Sequence, residues 1–156
     1  MMKGDQEIID NLNRLLTHEL TAMDQYLVHA KMYEDWGFSK LHERIAHEFE
    51  DEKQHAEALI ERILFLEGHP DASKRDALAI GKTVPEMLQN DLDVEYRVQD
   101  DLRKVVALCE KKQDFQTRNV LMPLLEDTEQ DHIYWLEQQL RLIDKIGLPN
   151  YLQSVM

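Results

Sequence analysis

Two Glu-x-x-His motifs, Glu52 with His55 and Glu129 with His132, each follow a lone glutamate, Glu19 and Glu95. The two halves match closely in spacing. Glu52 follows Glu19 by 33 residues and Glu129 follows Glu95 by 34, and the equivalent glutamates lie 76 and 77 residues apart. On a helix, positions i and i+3 share a face, so each Glu-His pair can reach one metal cluster. Four carboxylates and two imidazoles are the ligand set of a di-iron or di-manganese site in the core of a four-helix bundle. Oxygen-rich donors with one nitrogen per metal suit Fe(II) or Mn(II), with Zn(II) a competitor. The lack of thiolate ligands argues against a closed structural zinc site.

Such ligands must point inward, and the apolar periodicity places them there. The first helix presents Ile9, Leu12, Leu16, Glu19, Met23, Tyr26, Ala30 and Tyr33 along one seam. The second presents Leu41, Ile45, Phe49, Glu52, Ala56, Leu59, Ile63 and Leu66, with His55 alongside. The third reads Val84, Leu88, Glu95, Leu102 and Cys109, with Val98 and Val105 beside them. The fourth reads Leu121, Leu125, Thr128, His132, Trp135, Gln139 and Leu142. Steps that alternate between three and four are those of a bundle seam. In every helix a charged or ligating residue interrupts that seam near mid-length. A buried carboxylate costs several kcal/mol unless paired, protonated or metal-bound. Two histidines cannot neutralise four glutamates, whereas two divalent ions can.

The chain of 156 residues has 5 glycines and 4 prolines, a composition that favours an all-α fold in one domain, 1–156. Four long helices are expected near 5–36, 39–67, 83–112 and 114–145, with a short fifth near 148–154. Gly37 closes the first and Ser39 caps the second. Gly68, His69 and Pro70 stop the second, and Thr83 with Glu86 forms a capping box for the third. Short turns make antiparallel hairpins of helices one and two and of helices three and four. The long link between the hairpins can cross the bundle's length. Pro123 predicts a kink or irregular turn just before the last ligands. The terminal segment either packs on its own bundle or meets copies of itself.

The net charge of −13 speaks against nucleic acid as a partner. No leader and no membrane span is expected, and the lone Cys109 suits a reducing, cytoplasmic setting as a core residue.

Over essentially its whole length the sequence resembles the bacterioferritin family and the related bacterial ferritins. The resemblance is carried by Met2-Lys3-Gly4-Asp5, His18-Glu19-Leu20, Asp24-Gln25-Tyr26, Met32 through Gly37, and Glu52-Lys53-Gln54-His55-Ala56. It continues through Glu61 to Gly68, Glu86-Met87-Leu88, Glu129 with His132, Trp135-Leu136-Glu137 and Asn150 to Gln153. It implies an all-α, ferritin-like antiparallel four-helix bundle with the long crossover between helices two and three and a short C-terminal fifth helix. It also implies a shell of 24 chains that stores iron as a ferric mineral. Each bundle would hold a non-haem di-iron ferroxidase centre, oxidising Fe(II) with O2 or H2O2. Glu19 and Glu95 would be terminal ligands, Glu52 and Glu129 bridging ones, and His55 and His132 the nitrogen ligands. Tyr26 matches a seam tyrosine beside the centre, an electron donor or a packing residue. His47 and Asp51 form an i, i+4 pair on a face that handles iron in some relatives, or else a solvated pair.

One departure concerns haem b, which this family binds through a methionine placed after the bridging glutamate. Lys53 stands at that position here. A protonated lysine does not ligate haem, so a shell of this chain alone is expected to lack it, or the chain co-assembles with a haem-binding subunit. A small ferredoxin is the release partner the family implies. A rubrerythrin-like peroxidase would need a Cys-x-x-Cys segment that is missing, and a non-catalytic shell subunit would need the six ligands to be vestigial.

Overall fold

The first helix starts where Asp5 can cap it. Its carboxylate accepts from the backbone of Glu7 and Ile8 at 2.9 and 3.2 Å. In the computed structural model, which describes residues 4–156, helix α1 then runs over Gln6–Trp36. Met2 and Lys3 of the opening motif lie outside the described residues. Helix α2 spans Ser39–Phe65, α3 Val84–Lys111, α4 Phe115–Glu126, α5 Tyr134–Ile146 and α6 Leu148–Ser154. Between α4 and α5 lies a π-helical segment, Asp127–Ile133, so α4, this segment and α5 form one continuous fourth rod. The result is an antiparallel four-helix bundle with a short terminal helix, as the periodicity requires.

Gly37 closes α1 in the left-handed region at φ 85°, which costs glycine little. The two-residue turn leaves no room for Ser39 to cap α2. Ser39 is already helical, Phe38 precedes it, and no side chain caps the end. Instead the carbonyl of Val155 accepts the Lys40 N–H at 3.0 Å. The C-terminal tail therefore supplies the cap, and α6 packs on its own bundle. Tyr151 is buried there and donates to Gln139 Oε1 at 2.7 Å. Helix α2 also ends earlier than its glycine suggests. Glu67 takes the left-handed turn at φ 64°, while Gly68 is needed for space, since a Cβ there would lie 2.6 Å from Ile9 Cγ2.

The long crossover is strapped to α1 by a row of polar side chains spaced at four residues or a multiple of four. Asn13 bonds to His69 and Asp71, Thr21 Oγ1 accepts from Asp76 N, Gln25 Oε1 from Ala79 N, and His29 Nε2 from Gly81 N, all at 2.8–3.1 Å. Gln25 and His29 in turn donate to buried Asp91 on α3, each at 2.8 Å. This row satisfies the backbone of a connection without secondary structure of its own.

The expected seam is largely the core. Leu12, Leu16, Ile45, Leu59, Ile63, Leu88, Leu102 and Leu121 are fully buried. Each such side chain contributes roughly 1.5–3 kcal/mol relative to exposure. Leu142, placed inward by the pattern, is exposed, and Trp135 is half-buried under the Arg44 guanidinium, 4.7 Å from its ring. Pro123 sits within α4, and the irregular turn falls after it, on the ligand-bearing residues themselves.

Candidate metal centre

Four side chains that interrupt the seam, Glu19, Glu52, Glu95 and His132, are at most 1% exposed, and His55 is 4% exposed. They come from all four rods and converge at mid-bundle. Two triads of potential ligands form, Glu19–Glu52–His55 and Glu52–Glu95–His132, with the donor atoms of each within 4.8 Å of one another. Glu52 alone belongs to both. His55 Nδ1 lies 3.5 Å from Glu19 Oε2 and 3.4 Å from Glu52 Oε2. His132 Nδ1 lies 3.0 Å from Glu52 Oε1 and 3.2 Å from Glu95 Oε1. The two imidazoles face each other with centroids 6.1 Å apart.

Each histidine turns its other nitrogen to an outer carboxylate. Asp127 Oδ2 meets His55 Nε2 at 2.9 Å, and Asp51 Oδ2 meets His132 Nε2 at 3.1 Å, with Glu48 beside it. Carboxylate–imidazole pairs of this kind orient a metal-binding ring. Tyr26 donates its hydroxyl to Glu95 Oε1. Arg44 neutralises the outer side, bonding Glu48 at 2.6 Å and Asp131 at 2.5 Å. Glu48, Asp51, Asp131 and His132 form a third group that could hold an ion.

The inner carboxylates have too few donors of their own. Glu19 Oε2, both oxygens of Glu52, Glu95 Oε2 and His55 Nδ1 are buried without a hydrogen-bond partner. Burial pushes Glu95 up to about 7, with repulsion from Glu52 adding to it. For Glu52 burial pushes the same way, but His132 and His55 outweigh it and hold the carboxyl at about 2. His55 loses from burial and gains more from Glu52 and Asp127, which raise it to about 9. Burial also opposes a charged His132, but Glu95, Asp51, Glu48 and Glu52 around it raise it well above the ordinary histidine value. Buried acceptors that lack donors, sharing their charge with crowded imidazolium groups, are the electrostatics of a site built for cations.

Glu129 does not join this cluster. Its carboxylate accepts from Gln99 Nε2 at 2.8 Å and pairs with Arg103, near the surface of α3. The winding of the segment is the reason. A π turn takes more than about four residues, so a side chain four positions back shares a face and one three back is turned aside. Glu52-x-x-His55 lies on regular α-helix and keeps both groups on one side, whereas Glu129-x-x-His132 does not. His47 lies 3.4 Å from Asp51 as the i, i+4 pair predicts, although Asp51 also serves His132. Lys53 is exposed on α2. The motif carries no signal for Asp127, Glu48, Asp131 or Thr128 as site residues, because charged and hydroxyl residues at helical spacing read equally as solvated or packed.

The ferritin-like domain model matches residues 9–146 of this chain. The chain belongs to that family. It is 57% identical over 155 residues to a bacterial ferritin of a Synechocystis species, an alignment that covers 99% of each chain. It is 58% identical over 153 residues to a bacterial ferritin of Pseudomonas aeruginosa, covering 98% of this chain and 99% of that one. A bacterioferritin of Mycolicibacterium paratuberculosis is 44% identical over 150 residues, covering 96% and 94%. This ferritin-like bundle thus places five potential metal ligands, with their orienting carboxylates, at its centre. No helix among the described residues is long and apolar enough to cross a membrane.

Proposed function

We propose that this protein is an iron-storing ferroxidase that binds two Fe(II) per chain as substrate in the paired triads. One ion lies with Glu19, Glu52 and His55, the other with Glu52, Glu95 and His132. Glu52 carries the reading, because one buried carboxylate shared by two triads sets two cations side by side. Each Fe(II) gives up one electron. The pair reduces one H2O2 with two protons to two waters, and the four electrons of two pairs reduce one O2 with four protons to two waters. The residues hold the ions close, leave positions free for oxidant, and discharge the ligand protons as metal enters.

The ferric product passes to the interior of a shell of copies, 24 in the family's usual arrangement, in the cytoplasm. Lys53 at the haem position leaves a shell of this chain alone without haem b, or leaves haem to a co-assembled subunit, and a small ferredoxin would supply electrons for release. The test is stopped-flow oxidation of Fe(II) by Glu52→Ala and His132→Ala proteins whose assembly is checked by light scattering. Fast oxidation is expected to disappear in both while assembly persists. Unchanged rates in both would refute the proposal.

A further inference from the structure

The two halves of the site differ by one residue, and the difference falls in the π-helical segment. Counting 33 residues from Glu95, as Glu52 stands from Glu19, leads to Thr128, and 34 leads to Glu129. Thr128 is fully buried, and its hydroxyl has no hydrogen-bond partner. It stands four residues before His132, the spacing that shares a face in a π turn. It also lies on the apolar seam, one step beyond Leu125. Glu129, by contrast, has two partners on α3 outside the centre.

We propose that Thr128 occupies the place opposite Glu52 that the motif would give to a fourth carboxylate, so that the centre has one shared carboxylate instead of two. This rests on the two-ion reading above. The centre is then three carboxylates, two imidazoles and a hydroxyl. Two divalent ions bring four positive charges against three negative ones, so the bound pair keeps a net positive charge. That excess attracts an anionic fourth partner, hydroxide or the hydroperoxide anion left when H2O2 gives up a proton, on the Thr128 side. Glu129, held by Gln99 and Arg103, is an outer-face residue and binds neither ion.

The experiment is an anaerobic Co(II) titration of metal-free protein followed by visible absorbance. It uses the wild type, Glu52→Gln, Glu129→Gln and Thr128→Glu. Two Co(II) per chain are expected in the wild type, and loss of both tight sites in Glu52→Gln. Glu129→Gln should keep both ions with affinity within about threefold of the wild type, since it is remote from the metals. Thr128→Glu should tighten binding by about tenfold or more by supplying the missing charge. Circular dichroism confirms that each variant is folded.

Loss of an equivalent in Glu129→Gln would show that Glu129 reaches the ions, which overturns this proposal and leaves the proposed function standing. Weaker binding in Thr128→Glu, with the fold intact, would equally overturn it. A wild type that binds no Co(II) would overturn both together.

Discussion

The α1–α2 half and the half formed by α3 and the fourth rod carry the same motif, yet only the first presents it on one helix face. Glu52 and His55 sit on unbroken α-helix and both enter the centre. Glu129 and His132 sit on a π-helical segment, and only the histidine enters. Motif spacing is thus a statement about side-chain direction only when the winding is known. One added residue keeps His132 in place and turns its glutamate out to Arg103.

Removing the two equivalent glutamates in turn should separate the two halves most strongly. Glu52→Ala should slow Fe(II) oxidation by more than about a hundredfold, because both triads lose a ligand. Glu129→Ala should leave the rate within about threefold. Equal losses, measured by stopped-flow absorbance, would restore the symmetry that the motif implies.

The halves are more alike in their outer carboxylates. Asp127→Asn and Asp51→Asn each remove the group that orients one imidazole, and each should weaken metal binding by about 10–100-fold. Calorimetric titration with Co(II) checks this. If only one of the two matters, the histidines are not equivalently supported.

Protonation sharpens the account further. With His55 raised to about 9 and Glu95 to about 7, the metal-free site carries protons at pH 7 that an entering ion must displace. Metal affinity should therefore rise from about pH 6 to pH 9, with protons released on binding at neutral pH. The stability that His55 lends to the metal-free fold has the opposite sign. It is fully present below its unfolded value of about 6.5 and is lost as pH rises through about 9. Titrations in two buffers of different ionisation enthalpy would count the protons.

The smallest effect concerns Thr128. Replacing a buried, unpartnered hydroxyl by the isosteric valine should raise the stability of the metal-free protein by about 1 kcal/mol. Urea unfolding would measure it, and a clear loss of stability would mean that the hydroxyl is bonded in the metal-free state.

Most of the bundle was legible because it rests on burial. Leu12, Leu16, Ile45, Leu59 and Leu88 repeat at the helical period and are the core. Glu19, Glu52 and Glu95 stood out because a carboxylate on such a seam needs a cation. The rest depended on information the pattern does not hold. A single inserted residue near His132 leaves the Glu-x-x-His spacing intact, so the turn of Glu129 is silent in the motif. Thr128 nevertheless already stood on the seam, and the 33-to-34 mismatch was its trace. The row Asn13, Thr21, Gln25 and His29 read as an ordinary polar face, although it straps down the crossover. Ser39 looked like a cap because its real replacement, the Val155 carbonyl, lies at the far end of the chain.

The central claim is that two triads sharing Glu52 form one working two-ion centre. Its most direct test is an anaerobic Fe(II) titration of metal-free protein, followed by an oxidant pulse watched in the near ultraviolet. The account predicts a break at two Fe(II) per chain and then a rapid rise in ferric absorbance, far faster than in buffer. Absence of a break, or oxidation no faster than buffer, would contradict it.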